Sequence, residues 1–166
     1  MNVMRYEYRI TKYNPANRDI NGFYPVDEWS EYSDIGKTFK EEKLTRNEYL
    51  RVEKLYLAAI ENFLIEANIQ ELRISQLHNF ENLKIENLQI HNGVLLNLSQ
   101  ILIFSRLALR EKIWGKLIAT RRAYIHFGWD YYLYMGVSRK CSHAIESSLA
   151  QGLFIEPMRS PYFRRR

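Results

Sequence analysis

The first residues alternate. Tyr6, Tyr8 and Ile10 fall on one side of an extended backbone, and Arg5, Glu7, Arg9 and Thr11 on the other. Period two with β-forming residues predicts a strand with one buried face. Asn14-Pro15 ends it and Asn21-Gly22 signals a turn. Residues 14–43 then predict a long, polar, irregular stretch anchored by Trp29 and Tyr32, and stretches of this length tend to carry function. The period changes after Thr45. Tyr49, Val52, Tyr56, Ile60, Phe63 and Ala67 recur every three or four residues, the stripe of an amphipathic helix over 46–67. Thr45 and Glu48 fit a capping box at its start, and Asn68 suits the residue that closes it.

Alternation returns from Ile69 to Ser75, a second strand. Residues 76–92 fit either a short helix or an irregular strand. Past Asn92-Gly93, the apolar run from Val94 to about Ile113 predicts a second, largely buried helix. Lys116–Ala119 and Ala123–Phe127 pair as a hairpin across Thr120-Arg121-Arg122, and Tyr131–Val137 forms a further strand. Ser138 opens a short helix through Leu149, Gly152 supplies its left-handed cap, and Leu153-Phe154-Ile155 leads into a terminal strand before Pro157. Strands and helices are segregated, so the class is α+β: an antiparallel sheet packed with two long helices and a short C-terminal helix. With no linker or long repeat, residues 1–166 read as one domain with a basic tail over 159–166.

Composition adds limits. The chain has 166 residues, 46% hydrophobic and 26% charged, which excludes a disordered tail protein. Its one cysteine, Cys141, cannot make an internal disulfide, which points to a reducing compartment. No apolar run is long enough to span a bilayer, and the polar N-terminus does not resemble a signal peptide, so the expected location is the cytoplasm. The net charge of +5 is unevenly spread. Residues 19–48 carry eight acids against four bases, and residues 105–166 carry twelve bases against four acids, ending in Arg164-Arg165-Arg166. A basic half suits a polyanion or an acidic protein surface. A basic nucleic-acid-associated or regulatory module is therefore the alternative reading, although no recognisable nucleic-acid-binding motif accompanies the charge.

Candidate chemistry is sparse. His78, His91, His126 and His143 are scattered, and Cys141 with His143 lacks the further ligands that zinc needs, so neither metal nor cofactor is expected. Cys141 near a helix start would have its thiol pKa lowered somewhat, yet a lone cysteine is mostly a small hydrophobe. His126 with Asp130 close behind could serve as an oriented general base, against the commoner role of a histidine bonded within a sheet. Asp27-Glu28 and Glu41-Glu42 are adjacent pairs, and in a strand adjacent residues face opposite ways. No phosphate-binding glycine pattern occurs, and no enzyme constellation survives.

One resemblance covers most of the chain. Arg9-Ile10-Thr11-Lys12-Tyr13-Asn14-Pro15, then Asp27-Glu28-Trp29 with Ser33-Asp34-Ile35-Gly36, then Glu48-Tyr49-Leu50 with Val52-Glu53 form an ordered series. Leu109–Trp114, His126-Phe127-Gly128-Trp129-Asp130-Tyr131-Tyr132, Gly152–Pro157 and Ser160-Pro161-Tyr162 continue it. The series resembles a group of small bacterial proteins similar to immunity proteins of contact-dependent growth inhibition and other polymorphic toxin systems. The resemblance implies a protein without catalytic residues that binds a cognate toxin domain and blocks its active site. Two surfaces are then candidates for contact: the acidic stretch with Asp27, Glu28, Trp29, Glu31, Tyr32 and Asp34, and the basic half with Arg121 and Arg122. The alternative role for Trp29 and Asp34 is internal, one buried and the other capping a turn.

Overall fold

In the structure, a computed structural model that describes residues 6–163, the alternating strands assemble into a single antiparallel sheet of seven. In chain order the elements are β1 (Tyr6–Thr11), a small hairpin of β2 (Thr38–Phe39) and β3 (Glu42–Lys43), α1 (Arg46–Glu66), β4 (Glu71–Asn79) and β5 (Leu95–Asn97). There follow α2 (Leu98–Leu109), β6 (Ile113–Ala119), β7 (Ala123–Phe127), β8 (Leu133–Val137), α3 (Ser142–Ala150) and β9 (Phe154–Pro157). The sheet order is β5-β4-β6-β7-β8-β1-β9. The first strand thus lies between two of the last three. The α+β class and the packing of two longer helices and a short one on an antiparallel sheet match the expectation.

Register divides the sheet into two faces. Ile74, Leu117, Ile125, Met135 and Tyr8 pair in one row across five strands. Because side chains alternate, that whole row points to one side. Against it pack the stripe of α1 and the buried face of α2: Tyr8 meets Phe63, and Phe127 meets Phe104. The same stripe of α1 carries Tyr49, Tyr56 and Ile60, all with no exposed surface. One charged residue sits in it. Glu53 is 3% exposed and receives a two-pronged hydrogen bond from Arg110 just past α2, at 2.8 and 2.7 Å, with Arg106 3.5 Å away. At the far end of α1, Glu66 accepts the free amides of His143 and Ala144, which fixes the start of α3.

The opposite face is also covered. Lys116, His126, Tyr134, Arg9 and Glu156 form a row across it, and the chain from Met158 to Phe163 folds back over this row. Beside the row, Gly136 pairs with Tyr124. The tyrosine ring lies flat over the glycine, with its hydroxyl donating to Glu7 at 2.7 Å.

Several boundaries differ from the expected ones. The predicted helix over 94–113 starts later and ends earlier, because Asn97 and Gln100 form a capping box that stops β5 and starts α2. The ambiguous segment 76–92 carries β4 on to Asn79 through a bulge at Gln76, whose φ is 52°. The rest of it is turns, with Asn82 and Asn87 at positive φ. The expected loop 14–43 contains short 3₁₀ turns at Pro15–Asn17 and Tyr32–Asp34 and the β2–β3 hairpin. Lys40 and Glu41 make that hairpin's turn, both at positive φ, in place of the asparagine and glycine that normally signal it. The last strand before α3 begins at Leu133, since Asp130 and Tyr131 are both in a turn at positive φ, and α3 starts at Ser142 and not Ser138. Asn68 and Gly152 close their helices in left-handed conformation as expected. Arg5 and Arg164-Arg165-Arg166 lie outside the described residues.

Gly136→Ala tests the packing of the covered outer face. A Cβ there would run into the Tyr124 ring, 2.7 Å from Cδ1 and Cζ, and that ring is held by Glu7, His126 and Phe163. The expected loss is about 2–3 kcal/mol of unfolding free energy, measured by urea denaturation, with the helix content of the folded state unchanged.

Candidate functional site

The long segment after β1 is held down by a buried ammonium. Lys12 Nζ is 2.6 Å from Glu28 Oε1 and lies 4.3 and 4.2 Å from the ring centres of Tyr13 and Trp29. Its side chain is 7% exposed. Burial pulls the Lys12 pKa down to about 8, while Glu28 pulls the other way. The second Glu28 oxygen accepts the Tyr24 hydroxyl at 2.9 Å, and the Tyr13 hydroxyl donates to the Asp130 carbonyl at 2.7 Å. Beneath them, Trp29, Tyr32, Tyr49, Tyr56 and Tyr131 pack edge against face, and Tyr131 donates to the Tyr49 hydroxyl at 2.9 Å.

This arrangement places the predicted contact residues one by one. Trp29 is buried in the core. Asp34 is buried too and accepts the amides of Ser30 and Glu31 and the ammonium of Lys37. Burial pushes its carboxyl up, but those hydrogen bonds prevail and hold it below the ordinary carboxylate range. Asp27 accepts the Lys40 amide, Glu31 accepts the Ser33 hydroxyl, and Tyr32 lies under the Arg110 guanidinium. Arg121 and Arg122 stand far off, in the β6–β7 turn by the C-terminal end of α1, where Arg122 donates to the Asn68 carbonyl. The acidic stretch packs on the opposite end of α1, a helix about 30 Å long. The two candidate groups therefore do not share a surface.

The pinned segment presents residues that the sequence pattern did not single out. A cleft of about 460 Å³ opens between it and the β7–β8 turn, lined by Arg9, Arg18, Phe23, Tyr24, Asp130 and Tyr132 among others. Its lining is largely polar, but large apolar side chains stand exposed in or next to the lining segments. Ile20 is 101% exposed, Phe23 71%, and Trp129, next in the chain to Asp130, 69%. The available signal was an isoleucine and a phenylalanine bracketing Asn21-Gly22 inside an otherwise polar stretch.

His126 and Asp130 do not form the oriented base considered from sequence. His126 Nδ1 lies 2.6 Å from the Ser160 hydroxyl, with the ring between Tyr124 and Phe163, whereas Asp130 lines the cleft just described. Lys116, its neighbour in the register, bonds the Tyr162 carbonyl. Cys141 departs from expectation as well: burial against α1 raises its thiol pKa to about 11 instead of lowering it. Among the described residues no group of three or more His, Cys, Asp or Glu side chains converges, and no helix is long and apolar enough to cross a membrane. Comparison with protein-family models, curated proteins and solved structures finds no match for this chain.

Burial and the nearby Lys116 pull the His126 pKa down to about 3, against about 6.5 in an unfolded chain. Between those values the unfolded chain binds a proton that the folded chain does not, so acidification destabilises the fold. By pH 4 the expected cost is about 3 kcal/mol. Urea midpoints measured from pH 7 to 4 should fall with a slope one proton shallower in His126→Gln than in the parent.

Proposed function

We propose that this chain is an immunity protein, which binds a cognate toxin domain inside the producing cell and blocks its active site. The observation that carries the reading is a cleft lined by Tyr13 and Glu28, which Lys12 holds, with exposed Phe23 in its lining and exposed Ile20 and Trp129 in the chain segments that border it. Large apolar side chains on a rigid support lose little freedom on binding, and such residues dominate the energetics of protein interfaces. An interface of roughly 1,200–2,000 Å² would suffice for a slow-dissociating complex. The motifs that resemble immunity proteins supply the support. Lys12, Tyr13, Glu28, Trp29 and Asp34 hold the segment in place, which leaves its tip free to differ between proteins that meet different toxins.

The cationic alternative draws less support. Arg73 and Arg122 line a second groove, at the edge of the sheet, but Arg73 donates to the Gly93 carbonyl, Arg122 to the Asn68 carbonyl, and Glu71 lines the same groove. A site for phosphates would keep such donors available.

The test is co-expression with the toxin domain encoded at the same locus. Growth should be rescued and a stable complex isolated, whereas failure of both rejects the reading. Phe23→Ala and Trp129→Ala should each weaken the complex about 30-fold or more by calorimetry, with thermal stability unchanged because both side chains are exposed.

A further inference from the structure

Left-handed backbone is cheap for glycine and tolerated by asparagine, but other side chains crowd the following carbonyl. Among the described residues, two adjacent residues other than glycine share it at two places: Asp130-Tyr131, with φ of 57° and 65°, and Lys40-Glu41, with φ of 47° and 67°. The first pair has its reason inside the chain. The Tyr131 ring is buried and its hydroxyl donates to Tyr49, while the Asp130 carbonyl accepts the Tyr13 hydroxyl. The second pair has none there. Lys40 and Glu41 form the two-residue turn of the β2–β3 hairpin, and both side chains are exposed. Neither side chain makes a hydrogen bond or ion pair with any described residue; the one bond at the turn comes from the Lys40 backbone. Asparagine and glycine would make the same turn with less strain.

Strain of this kind persists where the surrounding structure enforces it, and it clusters at binding sites. The enforcement is visible here. Leu44 is buried and its backbone pairs with Gly36 and Lys37, Phe39 packs against the core, and Asp27 accepts the Lys40 amide at 3.0 Å. We infer that Lys40-Glu41 is a specificity contact of the proposed toxin interface, where the ammonium and the carboxylate meet an acid and a base of the bound protein. The inference rests on the toxin-binding reading and adds a second, polar contact to its apolar one.

Position and charge both favour a protein partner. Glu28 lines the cleft that holds Phe23 and also a second cleft, between the hairpin and Asp27-Glu28-Trp29, whose wall includes Lys40. The two clefts meet at Glu28, so a partner of ordinary interface size seated on Phe23 reaches the hairpin. Lys40, Glu41, Glu42 and Lys43 are all exposed, none of their side chains bonds a described residue, and their signs cancel. A surface of one sign, such as a nucleic-acid backbone or an anionic membrane, is repelled by two of these charges as much as the other two attract it. A folded protein can set an opposite charge against each, and a partner with the charges misplaced is then rejected. The anchored turn presents Lys40 and Glu41 on a fixed backbone, so little loop freedom is lost on binding.

Two double variants separate the turn from its side chains. Lys40→Asn with Glu41→Gly relaxes the turn. The thermal midpoint of the free chain should rise by about 3–6 °C, while the complex with the toxin domain weakens about 10-fold or more. Lys40→Glu with Glu41→Lys keeps the strained backbone and reverses both charges. Its midpoint should stay within about 1 °C of the parent, and the complex should weaken about 10-fold or more at low salt and less at high salt. A relaxed variant no more stable than the parent shows that the turn stores no strain and overturns the assignment. A complex indifferent to either variant overturns it too, and if Phe23→Ala still weakens that complex, the toxin-binding reading stands without the hairpin. Absence of any complex with the parent chain rejects the reading and the hairpin contact together.

Discussion

A lysine ammonium buried between two aromatic rings and a carboxylate is the contact on which the cleft depends. Lys12 follows the last residue of β1, and Tyr13, Glu28 and Trp29 close around its charge. Without that charge the segment from Tyr13 to Gly36 would have no apolar core of its own. Its two 3₁₀ turns expose half of their residues, and only Trp29, Tyr13 and Asp34 are buried within it. Desolvating an ammonium is expensive, and the lowered Lys12 pKa records that expense. The carboxylate and the two π-faces together offset it, which ties the loop's position to four residues at once.

Below this point α1 acts as the common strut. Tyr49 near its start and Tyr56 at its middle meet the loop's aromatic cluster, Glu53 joins it to α2 through Arg110, Phe63 meets the sheet, and Glu66 caps α3. The geometry of the cleft therefore follows the position of one long helix. Arg110 adds a second link, since its guanidinium also lies over Tyr32.

The strong periodicities were legible in the sequence. Alternation located β1, β7 and much of β4, and the stripe from Tyr49 to Ala67 located α1 with Thr45 and Asn68 at its ends, although the Glu48 carboxylate binds Arg51 and does not complete the expected capping box. Short local signals were harder. The Asn97–Gln100 capping box sits inside a run of leucines and isoleucines that reads as continuous helix, and the Lys40-Glu41 turn has no glycine to announce it. Of the contact residues expected from sequence, Trp29 and Asp34 proved internal, as residues with strong burial and turn preferences often are. The cleft lined by Arg18 was not legible at all, because it exists only where Gly22, Phe23 and Tyr24 meet Tyr132, more than a hundred residues on.

The place of β1 in the sheet has a consequence for synthesis. Its hydrogen-bonding neighbours are β8 and β9, and Arg9 finds its partner Glu156 across 147 residues. As the polypeptide is made, β1 has no neighbour to join until the chain has been read past Leu133. Pairing over such a sequence separation slows folding, and until β8 arrives Tyr6 and Tyr8 stay open to whatever chaperone meets them first.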